Sequence, residues 1–204
     1  MPVVANDFLP RSYNIHMNII TLLGSPRRRG NTATVLHAFE ELMQPKHHVE
    51  RINIVDHDVR GCLGCDACQK MTDEPGCVQK DDAPAILRRL MDADLIVYAS
   101  PVYCWAFSAQ MKALLDRHYC MVKWCDGQQT GALMRGKRTM LLATCGGGVA
   151  AEEADLMQKM FEREMRYLEA EVVGQYVVAG CTKPAELGDR ALITAQRMTE
   201  DLSK

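Results

Sequence analysis

Four cysteines, Cys62, Cys65, Cys68 and Cys77, crowd into one short stretch, the first three at a Cys-x2-Cys-x2-Cys pitch and the fourth after eight intervening residues that end in Pro75-Gly76. Three thiolates at that pitch can wrap one face of an iron-sulfur cubane, and a nearby fourth can close it. Gly61 and Gly64 lend the backbone freedom such a wrap needs. The same donors suit redox-active thiols, or zinc, although structural zinc sites usually pair two well-separated Cys-x2-Cys arms. A second chemistry-bearing segment is Gly24-Ser25-Pro26-Arg27-Arg28-Arg29-Gly30-Asn31-Thr32. It lies between an apolar run and an amphipathic one, so its backbone N-H groups and a helix N-terminus converge where an anion would be held. Ser25, Asn31 and Thr32 add short polar side chains, and the three arginines add positive charge. A Walker loop has four residues between its glycines and a Lys after the second; here there are five, followed by Asn31, and Gly-x-Gly-x-x-Gly is absent. ATP, GTP and a Rossmann-held NAD are each disfavoured.

From Met17 onward, short apolar runs alternate with amphipathic stretches, the βαβα pattern of a parallel sheet covered on both faces by helices. Strands are expected at Ile19-Leu23, at Val49-Val55 with a polar pattern suited to a sheet edge, at Leu95-Ala99, at Thr139-Ala143 and at Val172-Val178. Helices are expected from Asn31 to Pro45 (Val35, Leu36, Phe39, Leu42, Met43), after an Asp82 cap (Ile86, Leu87, Leu90, Met91) and after a Ser108 cap (Met111, Leu114, Leu115). A long one carries Leu156, Met160, Phe161, Met165 and Leu168, and a last one Leu192, Ala195, Met198 and Leu202. Their three-and-four spacing marks core faces, methionines included. Five strands and five helices in alternation fit an α/β, flavodoxin-like three-layer αβα sandwich with a five-stranded parallel sheet of order 2-1-3-4-5. Residues 119 to 136, with Trp124, Cys125 and three glycines, read as a long irregular connection.

The 204 residues, 48% of them hydrophobic, predict a single domain from 17 to 204, with the cysteine loop 61-77 inserted and residues 1-16 as an N-terminal extension without periodicity. A net charge of -2, from 24 basic and 26 acidic residues without a long run of either, argues against nucleic-acid or membrane partners. No apolar run approaches the roughly 18 residues that span a bilayer, and the first residues lack a signal-peptide pattern, so a cytoplasmic location is expected. Cys104, Cys120, Cys125, Cys145 and Cys181 read mostly as small buried hydrophobes. His47, His48 and His57 read as exposed side chains flanking an edge strand, and Asp116-Arg117 as a surface or dimer contact.

The strings GSPRRRGNT, SPVYCWAFSAQMKALLDR and GKRTMLLATCGGG stand in the order and at the sheet positions of NADPH-dependent FMN reductase-like proteins, which the chain resembles from about Met17 to its C-terminus. The resemblance implies that Ser25, Arg27, Asn31 and Thr32, with Gly30 in the same turn, hold the FMN phosphate. It further implies that Pro101, Val102, Tyr103 and Trp105 border the ribityl chain and isoalloxazine, and that Thr144, Cys145, Gly146 and Gly147 supply the other side of the ring. Cys145 then packs against the flavin instead of acting as a nucleophile. All three segments follow strands, and in a sheet of this order the ligand crevice lies at the strands' carboxyl ends.

The cysteine loop is similar to the compact motif of the iron-sulfur flavoproteins, which carry FMN and a 4Fe-4S cluster, with a longer last spacing here than is usual there. The expected activity is that of an FMN-dependent oxidoreductase in which the flavin carries the chemistry and no side chain is a catalytic acid. Electrons come from NAD(P)H, a transient co-substrate stacking on the flavin between Tyr103 and Trp105, or from an electron-carrier protein, and pass to a small acceptor such as a flavin or quinone. The alternatives are an iron-sulfur flavoprotein using FMN plus the cluster for electron transfer or dehydrogenation, and a non-enzymatic redox or metal sensor. The resemblance also implies a homodimer or homotetramer, with 119-136 as a contact.

Overall fold

The computed structural model describes residues 16-202; the N-terminal extension expected at 1-16 therefore lies, apart from His16, outside the described residues. In chain order the elements are β1 (Asn18–Leu23), α1 (Asn31–Met43), β2 (His48–Asn53), α2 (Ala83–Met91), β3 (Leu95–Tyr103), β4 (Ala106–Phe107), α3 (Ala109–Arg117), β5 (Val122–Cys125), β6 (Gln128–Ala132), β7 (Arg138–Thr144), α4 (Ala150–Glu153), α5 (Asp155–Tyr167), β8 (Glu171–Val178) and α6 (Arg190–Asp201). Five strands run parallel in the order β2-β1-β3-β7-β8, which is 2-1-3-4-5 when those five are counted alone.

Because successive strand side chains point to opposite faces, each apolar run feeds two cores at once. Ile19 and Leu23 of β1, with Val97 of β3 and Leu142 of β7, pack under α1 and α6. Ile20 and Leu22, with Ile96, Tyr98 and Leu141, pack under α2, α3 and α5. The methionines at helical spacing, Met111, Met157, Met165 and Met198, are buried in these cores. β2 is the polar edge, and the charge it carries is used: Arg51 donates through Nε to Oε1 of the buried Glu40 on α1 at 2.8 Å and through Nη2 to Oε2, while Thr21 Oγ1 of β1 donates to Oε1 at 2.5 Å. A bidentate guanidinium thus fastens the first helix to β2, and the Thr21 hydroxyl ties it to β1.

Several expectations are corrected. The segment 119-136 is not irregular: a 3-10 turn (His118–Met121) leads into the antiparallel β5-β6 hairpin, which Met121, Val122 and Met134 anchor in the second core. Cys125 pairs with Gln128 around Asp126 and Gly127, both left-handed, and Asp-Gly is a strong signal for this two-residue turn. Asp82 does not cap α2 with its side chain; its carboxylate accepts from Asp58 N at 2.8 Å, and Asp81 Oδ1 accepts from Ala83 N. The long helix breaks at Ala154, so Met157, not Leu156, faces the core, and Leu156 is 56% exposed. Leu42 and Leu192 are also exposed, as are Cys104 and Cys125. Among the described residues no helix is long and apolar enough to cross a membrane.

Gly24, where β1 ends, is required by proximity: a Cβ there would stand 2.6 Å from Met111 Cβ on α3 and 3.2 Å from Ser108 Oγ. Overpacking at such a backbone-to-helix contact costs about 1–3 kcal/mol. Gly24→Ala is expected to lower the protein's stability by that amount in urea titration; a variant as stable as its parent contradicts the close approach.

Candidate functional sites

Three loops leave the carboxyl ends of β1, β3 and β7 and meet over a cavity of about 180 Å³. Ser25, Arg27, Gly30, Asn31, Thr32, Pro101, Val102, Tyr103, Thr144, Cys145 and Gly146 line it, as the sequence leads one to expect. Trp105 and Gly147 are not among its lining residues. Cys181 and Thr182 are, contributed by the loop after β8 that sequence reasoning passed over. Nothing in the Gly180-Cys181-Thr182 string marks it; it arrives because β8 lies beside β7.

The loops are stitched together. Ser108 Oγ, which caps α3 by accepting from Met111 N, also donates to Gly24 O at 2.5 Å, and Gly24 N donates to Ala99 O at 2.8 Å. Ser108 N donates to Ser100 Oγ at 3.1 Å. Thr32 Oγ1 and Thr144 Oγ1 share a hydrogen bond at 2.7 Å, and Asn31 Nδ2 donates to Cys181 O at 2.8 Å. Ser25 Oγ accepts from Arg27 N at 3.1 Å, which shapes the turn ahead of α1.

The floor of the cavity favours an anion for two reasons, and a third group there awaits a donor. α1 begins after Gly30 with no side-chain cap, leaving its first N-H groups without a side-chain acceptor. Arg28 is spent on Asp56, whereas Arg27 lines the cavity. Asn31 Oδ1 is buried and without a donor. Burial pushes the Cys145 and Cys181 thiols up from their ordinary range, which disfavours the thiolate.

At the mouth, β3 turns into β4 with Tyr103 paired to Ala106. The two residues between, Cys104 at φ 49° and Trp105 at φ 62°, are both left-handed and neither is glycine. Each costs of order 1–3 kcal/mol. The strained tip leaves Tyr103 43% and Trp105 58% exposed beside the cavity.

A second cavity brings Cys62, Cys65, Cys68 and Cys77 together with Cys120, Arg117 and Tyr119. Among the described residues, no three His, Cys, Asp or Glu donors converge as they would around a single metal ion. Arg117, expected at the surface, is buried: Nη1 donates to Asp81 Oδ2 at 2.5 Å and to Arg60 O at 2.9 Å, and Nη2 donates to Cys77 Sγ at 3.1 Å. Its neighbour Asp116 does face solvent, paired with Lys112. Burial drives the Cys68 thiol up, and Cys120 is pushed up to about 12. Lys123 Nζ, buried under the loop, donates to Cys68 O at 3.2 Å and Pro75 O at 3.3 Å, and burial lowers its pKa. His47 and His57 are half-buried, the latter 3.5 Å from Asp82, and His48 is exposed.

The family model of the NADPH-dependent FMN reductases matches residues 17–180. An iron-sulfur flavoprotein of Archaeoglobus fulgidus is 36% identical over 102 residues, 50% of this chain and 45% of its own length. A second iron-sulfur flavoprotein of that organism is 31% identical over 140 residues, 69% of this chain and 68% of its own length. The chain thus spans about half the length of the first and about two thirds of the second. The NAD(P)H:quinone oxidoreductase of Methanothermobacter marburgensis superposes with a TM-score of 0.70 at 18% identity, covering 93% of this chain and 98% of that one, which is a likeness of fold.

The buried Arg117–Asp81 pair yields a test. Burial alone raises a carboxyl's pKa, but the Arg117 guanidinium and the N-H groups of Arg60 and Ala83 outweigh it and hold Asp81 below its ordinary 3.8. A carboxyl held low contributes stability that is full above about pH 4 and drains away as pH falls through the depressed value. Asp81→Asn leaves the guanidinium buried without its anion, an expected loss of about 3–5 kcal/mol at neutral pH. Denaturant titrations from pH 7 to pH 3 should show the variant's deficit shrinking at the acid end; a deficit under about 1 kcal/mol at pH 7 rules the pair out as a structural clamp.

Proposed function

The chain belongs to the NADPH-dependent FMN reductase family, and from that premise we propose that it is an FMN-dependent oxidoreductase passing electrons from NAD(P)H to a small acceptor of the quinone or flavin class. The observation that carries the reading is the buried, donorless Asn31 Oδ1 beside an uncapped helix N-terminus, in a cavity formed where three carboxyl-end loops meet. FMN fits that set. Its phosphate is a dianion suited to the free N-H groups of α1 and to Arg27, and its hydroxyls are donors suited to Asn31 Oδ1.

When bound, FMN supplies hydride acceptance from the nicotinamide and delivery of the electron pair to the acceptor. The protein's own residues bind and orient. Ser25 shapes the phosphate turn, the Thr32–Thr144 bond keeps the first and third loops at fixed separation, and Tyr103 borders the mouth through which a nicotinamide would enter. The absence of a dinucleotide fingerprint agrees with a co-substrate that stacks and leaves.

A second reading adds a 4Fe-4S cluster. It is supported by the convergence of four cysteines on one cavity and by the names of the two relatives from Archaeoglobus fulgidus. A cubane takes one thiolate per iron at separate corners, so its ligands stand farther apart than those of a single zinc ion, in keeping with thiols that share a cavity without converging on one point.

The flavin reading expects purified protein with bound FMN and steady NAD(P)H oxidation when a quinone is added. Asn31→Ala, which removes a buried hydrogen-bonding group, should weaken FMN binding by roughly 10- to 100-fold, read by flavin fluorescence. Unchanged affinity in both Asn31→Ala and Arg27→Ala sinks the assignment of the phosphate end. For the second reading, anaerobically prepared protein should show visible absorption beyond the flavin bands and contain iron and acid-labile sulfide; flavin with neither removes the cluster.

A further inference from the structure

One buried cation, Arg117, lines the cysteine cavity and a second, Lys123, lies beneath the cysteine loop; the flavin chemistry uses neither. Arg117 ends α3 with its side chain wholly inaccessible and its Nε buried without an acceptor. Lys123 on β5 is 3% exposed, and the partners of its Nζ are the backbone oxygens of Cys68 and Pro75. The nearby carboxylates are engaged elsewhere or lie outside. Asp81 is buried on Arg117, Asp66 is exposed at the rim and accepts from Tyr119 OH at 2.9 Å, and Glu74 pairs with Arg88 at 3.0 Å. Two buried positive charges therefore face one buried negative charge.

Removing a cation from water costs several kcal/mol unless an anion stands close by, and carbonyl oxygens return only part of that. Neutral thiols, weak acceptors, return little. The sulfur atoms of this cavity are the groups available to supply the missing charge, as thiolates, and a cluster held by four thiolates carries net negative charge. The Arg117 Nη2 bond to Cys77 Sγ at 3.1 Å already points a guanidinium at the sulfur separated in sequence from the other three.

Resting on the cluster reading above, we propose that Arg117 and Lys123 are positioning residues for an anionic iron-sulfur centre. Arg117 orients Cys77 and Lys123 pins the Cys68 and Pro75 backbone, and their combined field raises the centre's reduction potential. Reduction adds negative charge, so fixed cations at the sulfur ligands favour the reduced form, and hydrogen bonds to ligand sulfur act in the same direction.

The test uses the whole chain, prepared anaerobically as wild type, Lys123→Met, Lys123→Arg and Arg117→Lys. FMN content, iron, acid-labile sulfide and the midpoint potential of the EPR-active centre are measured. The wild type should carry iron and sulfide, Lys123→Met should keep them with a potential shifted negative, and Lys123→Arg should restore the wild-type value. Loss of the cluster from Lys123→Met but not from Lys123→Arg supports the same conclusion, because charge then decides retention. Arg117→Lys, which keeps charge but loses the forked geometry, should shift the potential less than Lys123→Met; should it fail to fold, the Lys123 pair decides the matter alone. An iron-loaded Lys123→Met with unmoved potential overturns the inference while leaving the cluster reading intact, as does loss of iron from both Lys123 variants. Wild-type protein with flavin but no iron overturns the cluster reading and the inference together.

Discussion

Between β1 and β3 the chain reverses the direction in which it adds strands to the sheet, and both cavities depend on that reversal. From β1 the chain crosses by α1 on one face to reach β2; from β2 it returns by α2 on the other face to reach β3. Parallel strands permit no tight hairpin, so each connection must be such a crossover, and where two leave to opposite faces their loops part and open a crevice. The turn after β1 leads to α1 on one face and the Tyr103 loop after β3 leads to α3 on the other, and these two loops are the sides of the crevice. The cysteine loop is the lengthened return from β2 to α2, so it hangs over the face that α3 and the β5-β6 hairpin also cover.

α3 ties the two regions into one mechanical unit. Its N-terminal Ser108 holds Gly24 and Ser100 at the cavity over β1, β3 and β7, and its C-terminal Arg117 holds Cys77 and Asp81 at the cysteine cavity. Nine residues of helix span roughly 13 Å at about 1.5 Å each. A residue as small as glycine at 24 is what lets the helix lie close enough to serve both ends. The left-handed pair Cys104-Trp105, held by the short β3-β4 pairing, then presents aromatic surface at one end of the same unit.

Long runs and local turn chemistry were legible in the residues themselves. The four apolar strands, the polar edge strand, the Ser108 cap and the turn suited to an anion each follow from side-chain type and period, which act over a few residues. The β5-β6 hairpin was not read: Asp126-Gly127 is a strong turn signal, but the polar, glycine-bearing run from Gln128 to Gly131 lacks the alternation that marks a strand. Leu156 and Leu192 were misassigned to the core because a three-and-four spacing permits more than one face, and only the neighbour decides which is covered.

The amino-acid sequence by itself determined the sheet order, the three loops at its carboxyl ends and the candidate ligand set Cys62, Cys65, Cys68 and Cys77, since all of these are written in contiguous segments. Tertiary structure alone decided that Cys181 and Thr182 join the cavity at the carboxyl ends of the strands, that Arg117 is buried against Asp81 and Cys77, and that Lys123 stands under the cysteine loop on backbone oxygens. Each of those pairings joins groups 36 or more residues apart. No local period encodes such a contact; it is set by how the helices and the hairpin pack onto the two faces of the sheet.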